Sequence, residues 1–269
     1  MTSKTQEQSV MDVSRIWVIA RNVFREVIRD RILYLVAFYA VVMVLAISLL
    51  HEVAAGTQNK LFLDLGLTGI HILGLIVAVF LGTGLVNKEI EKRTVLVLVA
   101  KPVSRVEFVL GKHVGLTAVL VVLTVLLTVI YLALLSYGRI EYSLTSLLLA
   151  IGFNVLELML ITAAALLFGV FTSSLLAVLL TLAVYFMGHL SEDIVTLGQI
   201  TENPGFERLS KGMYLVLPDL ERLNLRNEAI YGLDLLPSSM ELLTHAVYAG
   251  FYIALLLTIA TAIFARRQF

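Results

Sequence analysis

Six stretches of this chain are continuously apolar with at most one charge each: Ile32–Leu50, Leu61–Val86, Val114–Tyr137, Leu144–Phe171, Leu175–Leu190 and Leu242–Phe264. All but the fifth reach the roughly 18 residues needed to cross about 30 Å of hydrocarbon. Inside a bilayer every backbone N–H and C=O must be paired within the chain, so only helices or a closed barrel can span it. Barrel strands alternate apolar and polar residues; these runs do not, which excludes a barrel. With 59% apolar and 15% charged residues, a soluble globule is excluded too. The expected fold is an all-α integral membrane protein of six transmembrane helices forming one transmembrane domain over residues 1–269. Met1–Gln8 is polar and no apolar run begins before Ile32, so no signal peptide is expected.

The charges orient it. Lys4, Arg15, Arg21, Arg25, Arg29 and Arg31 precede the first span. Lys88, Lys92, Arg93, Lys101, Arg105 and Lys112 lie between the second and third, and Arg266 and Arg267 follow the last. The other side holds Lys60, Arg139, Arg208, Lys211, Arg222 and Arg226, mostly in one long loop. Basic residues accumulate on the cytoplasmic side, which predicts that both termini and the segment 87–112 are cytoplasmic.

Before the first span, residues 11–31 read as a basic amphipathic helix. Val13, Ile16, Trp17, Ala20, Phe24, Val27 and Ile28 fall on one face, and Arg15, Arg21, Arg25 and Arg29 on the other. Such a helix either lies in the headgroup layer or fixes the inner end of the first span. The segment 191–245 is expected outside. It is acidic, yet Leu215, Val216, Leu217, Leu220, Leu223, Leu225, Ile230, Tyr231, Leu233, Leu235 and Leu236 need burial. The expectation is a small lid of short helices, with Pro204 opening one of them and Ser238-x-x-Glu241 forming a capping box before the last helix.

The polar island 87–112 carries the most specific signal. Glu89-x-Glu91-x-x-Thr94, Ala100-Lys101-Pro102-Val103-Ser104-Arg105, Glu107 and Gly111-Lys112 follow a span containing Asp64-Leu65-Gly66-Leu67 and Gly82-Thr83-Gly84-Leu85-Val86. This combination resembles the first cytoplasmic loop of type-2 ABC exporter (ABC-2 family) permeases, closely over Asp64–Gly115 and more loosely elsewhere. Many relatives have Gly where this chain has Arg93. The Lys-Arg-Thr form, with Leu217-Pro218-Asp219-Leu220-Glu221-Arg222-Leu223-Asn224, resembles a subgroup that includes the permease of the nitrous-oxide-reductase maturation transporter. The resemblance implies that the island forms a short coupling helix that docks on a separate ATPase subunit. Glu89, Glu91, Arg93, Thr94, Leu96, Leu98, Lys101, Pro102, Arg105, Gly111 and Lys112 are the coupling residues it implies. Val95–Ala100 is apolar within a charged loop, so it is expected either to be covered by that ATPase or to lie on the membrane surface.

Within the spans, Glu157 lies near the middle of the fourth, with Asn154 one turn before it. An intramembrane carboxylate costs about 2.5–3.5 kcal/mol on insertion scales, so it faces protein or water. A polar lining for a substrate path and an interhelical hydrogen bond are both open for this pair. His71, among the glycines of the second span, reads as a satisfied buried imidazole. The five His residues show no paired spacing and there is no Cys, so no metal site is expected. Gly111-Lys112 is not a phosphate loop, because Val106 stands where Gly is required and His113 replaces Ser or Thr. No catalytic residue is assigned, and ATP with its Mg would be bound by the partner ATPase. The resemblance further implies a bacterial inner-membrane location, contact with membrane lipid, and pairing with a second copy or a similar permease. It gives no role in nucleic-acid binding. An alternative is a permease-like anchor that passes ATPase movement to an external or periplasmic protein without moving cargo.

Overall fold

The computed structural model describes residues 12–30, 32–53, 57–91, 104–201, 204–232 and 235–266. Among them every regular element is helical: α1 (Val13–Asp30), α2 (Ile32–Val53), α3 (Gln58–Glu91), α4 (Arg105–Tyr137), α5 (Leu144–Phe171), α6 (Ser174–His189), α7 (Ser191–Ile200), α8 (Pro204–Val216), a 3-10 turn (Glu221–Leu223), α9 (Arg226–Tyr231) and α10 (Ser239–Arg266). Five of these, α2, α3, α4, α5 and α10, are long and apolar enough to cross a membrane. The sequence marks a sixth crossing at Leu175–Leu190. It corresponds to α6, an apolar helix of 16 residues, or about 24 Å at 1.5 Å per residue.

α5 is the most enclosed of the long helices and α2 the least. α3, α4, α6, α9 and α10 all pack on α5, α2 packs on α3 and α4, and α1 runs along α4. Small residues allow the central contact: a Cβ added at Gly82 would lie 2.7 Å from the Ala165 Cβ, so α3 and α5 are nearly in backbone contact there. Two buried tyrosine hydroxyls are paired with carbonyls of a neighbouring helix, as pairing within the chain requires where no water is present. Tyr39 donates to the Gly66 carbonyl at 3.1 Å and Tyr131 to the Leu63 carbonyl at 2.9 Å.

The helix ends depart from hydropathy. α4 begins at Arg105 rather than Val114 because Ser104-x-x-Glu107 is a complete capping box. The Ser104 N–H donates to Glu107 Oε2 at 2.8 Å, and the Glu107 N–H to Ser104 Oγ at 3.2 Å. α3 continues past Val86 to Glu91. The box expected at Ser238 and Glu241 is present as well.

In α1 the buried residues are Ala20, Val23 and Val27, while Val13 and Trp17 are exposed. The packed face thus takes Ala20 and Val27 from the expected apolar face and adds Val23. Gly111 and Gly115 on α4 set it: a Cβ at Gly111 would meet Ile19, and one at Gly115 would lie 2.8 Å from the Ala20 carbonyl oxygen. The segment after α6 also differs in detail. α7 and α8 pack mainly on each other. Burial falls on Leu220, Leu223, Leu225 and Ala229, which pack into the bundle, whereas Leu215, Val216, Tyr231 and Leu235 are exposed. Leu233 lies outside the described residues.

Candidate functional sites: a buried polar cluster and the end that frames the island

Asn154 and Glu157 face inward from α5, and α3 and α6 bring His71, Tyr185 and His189 to them. His71 Nδ1 lies 2.7 Å from Asn154 Oδ1, and its Nε2 lies 2.8 Å from the Tyr185 hydroxyl. Asn154 Oδ1 can only accept, so His71 Nδ1 donates to it. The charge of Arg226 on α9 acts on the Tyr185 hydroxyl. Glu157 is 1% exposed. Its Oε1 approaches His189 Nε2 at 3.3 Å and its Oε2 approaches His71 Nδ1 at 3.8 Å. The first approach is not aligned as a hydrogen bond, and Glu157 Oε1, His189 Nε2 and Asn154 Nδ2 are buried without a hydrogen-bond partner among the described residues.

The pair read from sequence is thus the core of a five-residue polar cluster at mid-height in the bundle, with the charged side chain of Arg226 reaching it from the segment after α6. Tyr185, His189 and Arg226 were not legible as members. The available signal was the four-residue spacing of Tyr185 and His189 at the end of an otherwise apolar helix, which places both on one face. The cluster can hold a proton, a water or a polar group. Among the described residues no group of three His, Cys, Asp or Glu is arranged to hold a metal.

Of the coupling residues, Arg93, Thr94, Leu96, Leu98, Lys101 and Pro102 lie outside the described residues, as do the side chains of Glu89 and Glu91, whose backbone ends α3. The end of the bundle that frames the island is nonetheless well defined. Glu107 is fully buried; besides capping Ser104, its carboxylate accepts from the Asp12 N–H at 2.8 Å and lies 3.8 Å from an Arg15 nitrogen. Hydrogen bonds from Ser14 and the nearby Arg15 hold the Asp12 carboxyl below the usual carboxylate range. Arg105 sits over the ring of Phe264 at 4.8 Å, and Phe264 stacks on Phe108 at 5.3 Å. Lys112 is buried with its ammonium 5.5 Å from the Phe108 ring centre. Gly111 faces α1. The island's exit, the start of α1 and the end of α10 therefore meet at one end of the bundle. Arg105, Gly111 and Lys112 are bound into that junction and do not project as a free rim.

At the other end, Arg222 donates to Asp219 Oδ2 at 2.8 Å and to the Tyr214 hydroxyl at 2.9 Å. These bonds, Asp219 first, push the Arg222 guanidinium above its usual range. The Asp219 N–H donates to the Tyr248 hydroxyl at 2.8 Å, and Tyr252 donates to the Val216 carbonyl at 2.8 Å. The segment after α6 is thereby stapled to α10.

A family model described as "ABC-2 family transporter protein" matches residues 17–269. No curated protein matches the chain. Multi-pass, all-helical, and matched over nearly its whole length, the chain belongs to the ABC-2 transporter family, as a membrane permease subunit of the kind that works with an ABC ATPase.

Proposed function

We propose that this permease is driven by a separate ATPase docked on the island 87–112 and that it works as an exporter in a bacterial inner membrane. α6 and the segment that follows it make the fifth of six crossings, both termini are cytoplasmic, and two copies, or one copy and a similar permease, form the complex. ATP and Mg are bound by the ATPases. The observation that carries this reading is the junction at Glu107. Ser104, where the island passes into α4, and Asp12, the residue that leads into α1, are tied to one buried carboxylate. A push on the island is then passed to α1 and α4 together. Its other end is continuous with α3, which carries His71 into the polar cluster and packs closely on α5. Movement at the ATPase would so reach Asn154 and Glu157, the residues proposed to line the path.

A second reading is favoured by one observation. The segment after α6 is joined both to the cluster, through Arg226, and to α10, through Asp219 and Tyr248. A shift of α3 or α5 would therefore move the outer surface, as an anchor acting on an external protein partner requires. The motif Leu217–Asn224, which carries the resemblance to the nitrous-oxide-reductase maturation subgroup, forms this joint. Reconstitution with the cognate ATPase separates the readings. Stimulation of ATP hydrolysis by a soluble cargo supports export, and stimulation only by an external protein supports the anchor. Hydrolysis that is indifferent to the permease would overturn both.

A further inference from the structure

An apolar groove of about 440 Å³ runs between α1 and α4, lined by Trp17, Phe24, Val114 and Ala118, with Arg21 and Arg25 along it. It is far larger than the roughly 30 Å³ share of one water, and apart from the two arginines its lining is apolar. Arg21 and Arg25 are one helical turn apart and exposed. Among the described residues neither makes an ion pair, whereas Arg15 on the same helix lies against Glu107. Trp17, also exposed, belongs to the residue type that settles at the level of the headgroups.

We propose that this groove binds one anionic phospholipid, with an acyl chain laid along Phe24, Val114 and Ala118 and its phosphate held by Arg21 and Arg25. The apolar lining alone would accept any lipid tail. The two guanidiniums at its edge select the charge, since guanidinium groups bind phosphate in paired, charge-assisted hydrogen bonds. The attraction of a basic residue to an anionic lipid surface corresponds to about fivefold in affinity, so about 30-fold for the pair. Because α1 is seated on Gly111 and Gly115 of α4, an occupied groove would brace α1 against the helix that begins at the island's exit. In the proposed orientation the groove opens to the cytoplasmic leaflet; the choice of lipid does not rest on that orientation.

The test uses the full chain in nanodiscs of equal phosphatidylcholine and phosphatidylglycerol, so that both leaflets carry both lipids. Native mass spectrometry should find phosphatidylglycerol retained over phosphatidylcholine by about 30-fold. The double variant Arg21→Gln with Arg25→Gln should lose the preference while remaining monodisperse, and Arg208→Gln should keep it. A photoreactive p-benzoylphenylalanine at position 118 should form an adduct of phospholipid mass. Equal retention of the two lipids, or a preference that survives the double variant, would overturn the proposal. So would an adduct to the chain's own residues or to a second protein, and that readout does not depend on the arginine variants folding.

Discussion

The Glu107 carboxylate accepts a hydrogen bond from the Asp12 backbone N–H at 2.8 Å, although the two residues are 95 positions apart. The same carboxylate closes the capping box with Ser104. One buried side chain therefore joins the start of α1 to the start of α4, and the consequences of removing it differ from those of removing the cap alone.

Ser104→Ala removes only the cap hydroxyl and should cost about 1 kcal/mol of stability. Glu107→Ala also strips the Asp12 N–H of its acceptor and should cost about 2–3 kcal/mol. Thermal unfolding of the detergent-purified permease gives the comparison. Equal losses for the two variants would mean that the contact to Asp12 does not hold α1.

The seat of α1 on α4 depends on the absence of a side chain at Gly115, where a Cβ would lie 2.8 Å from both the Ala20 carbonyl oxygen and the Val23 Cβ. Gly115→Leu should destabilise by about 1–3 kcal/mol. Gly250→Leu is the control, because nothing lies within 4 Å of a Cβ there, and it should be neutral or stabilising. Limited proteolysis of α1 reports the difference: rapid cleavage in the first variant, wild-type resistance in the second.

In the polar cluster, Tyr185→Phe removes the bond to His71. Interhelical hydrogen bonds in membranes average about 0.6 kcal/mol and reach about 1.7, so a loss of about 0.6–1.7 kcal/mol is expected. Glu157→Gln keeps a polar group of the same shape and should leave assembly intact. Glu157→Leu should reduce yield and activity, because Asn154, His71 and His189 would face an apolar side chain. A fully stable and active Leu variant would show that the carboxylate serves neither path nor packing.

Much of this architecture was legible because hydrocarbon imposes one rule, continuous apolar length, on every span. Leu144–Phe171 is identical as expectation and as helix. The rule fails where polar residues are buried inside a helix: Glu107, Lys112 and His113 read as loop by hydropathy, yet they lie in the first turns of α4. The Ser104-x-x-Glu107 spacing contained the correct boundary. For the cluster, Asn154 and Glu157 stood out as polar residues in an apolar run. Their partners on α3, α6 and α9 depend on tertiary packing, which no local pattern encodes. That Val23 joins the packed face of α1 is not legible for the same reason, since the complementary surface includes glycines on another helix.

The chain contains no Cys, so single cysteines test orientation cleanly. Arg226 donates to Asn224 Oδ1 at 2.8 Å and is a poor probe, whereas Lys211 is 54% exposed on α8. Lys211→Cys should react with an impermeant thiol reagent in intact cells, and Arg266→Cys should react only after permeabilisation. The reverse pattern would invert the orientation and place the island on the wrong side for an ATPase.

The central claim is that the island is where the ATPase docks. Its apolar stretch Val95–Ala100, set between charged flanks and Pro102, is a surface that needs covering, and pairing of charges at such a rim sets register and partner choice. The most direct measurement is co-purification of the ATPase with the double variant Leu96→Asp and Leu98→Asp, alongside ATP hydrolysis in the reconstituted complex. The account predicts a permease that inserts with normal cysteine-labelling topology but retains less than about a tenth of the wild-type ATPase, the ratio that about 1.4 kcal/mol of lost binding produces when the ATPase is sub-saturating. A variant that holds its ATPase and couples ATP hydrolysis as the wild type does would contradict it.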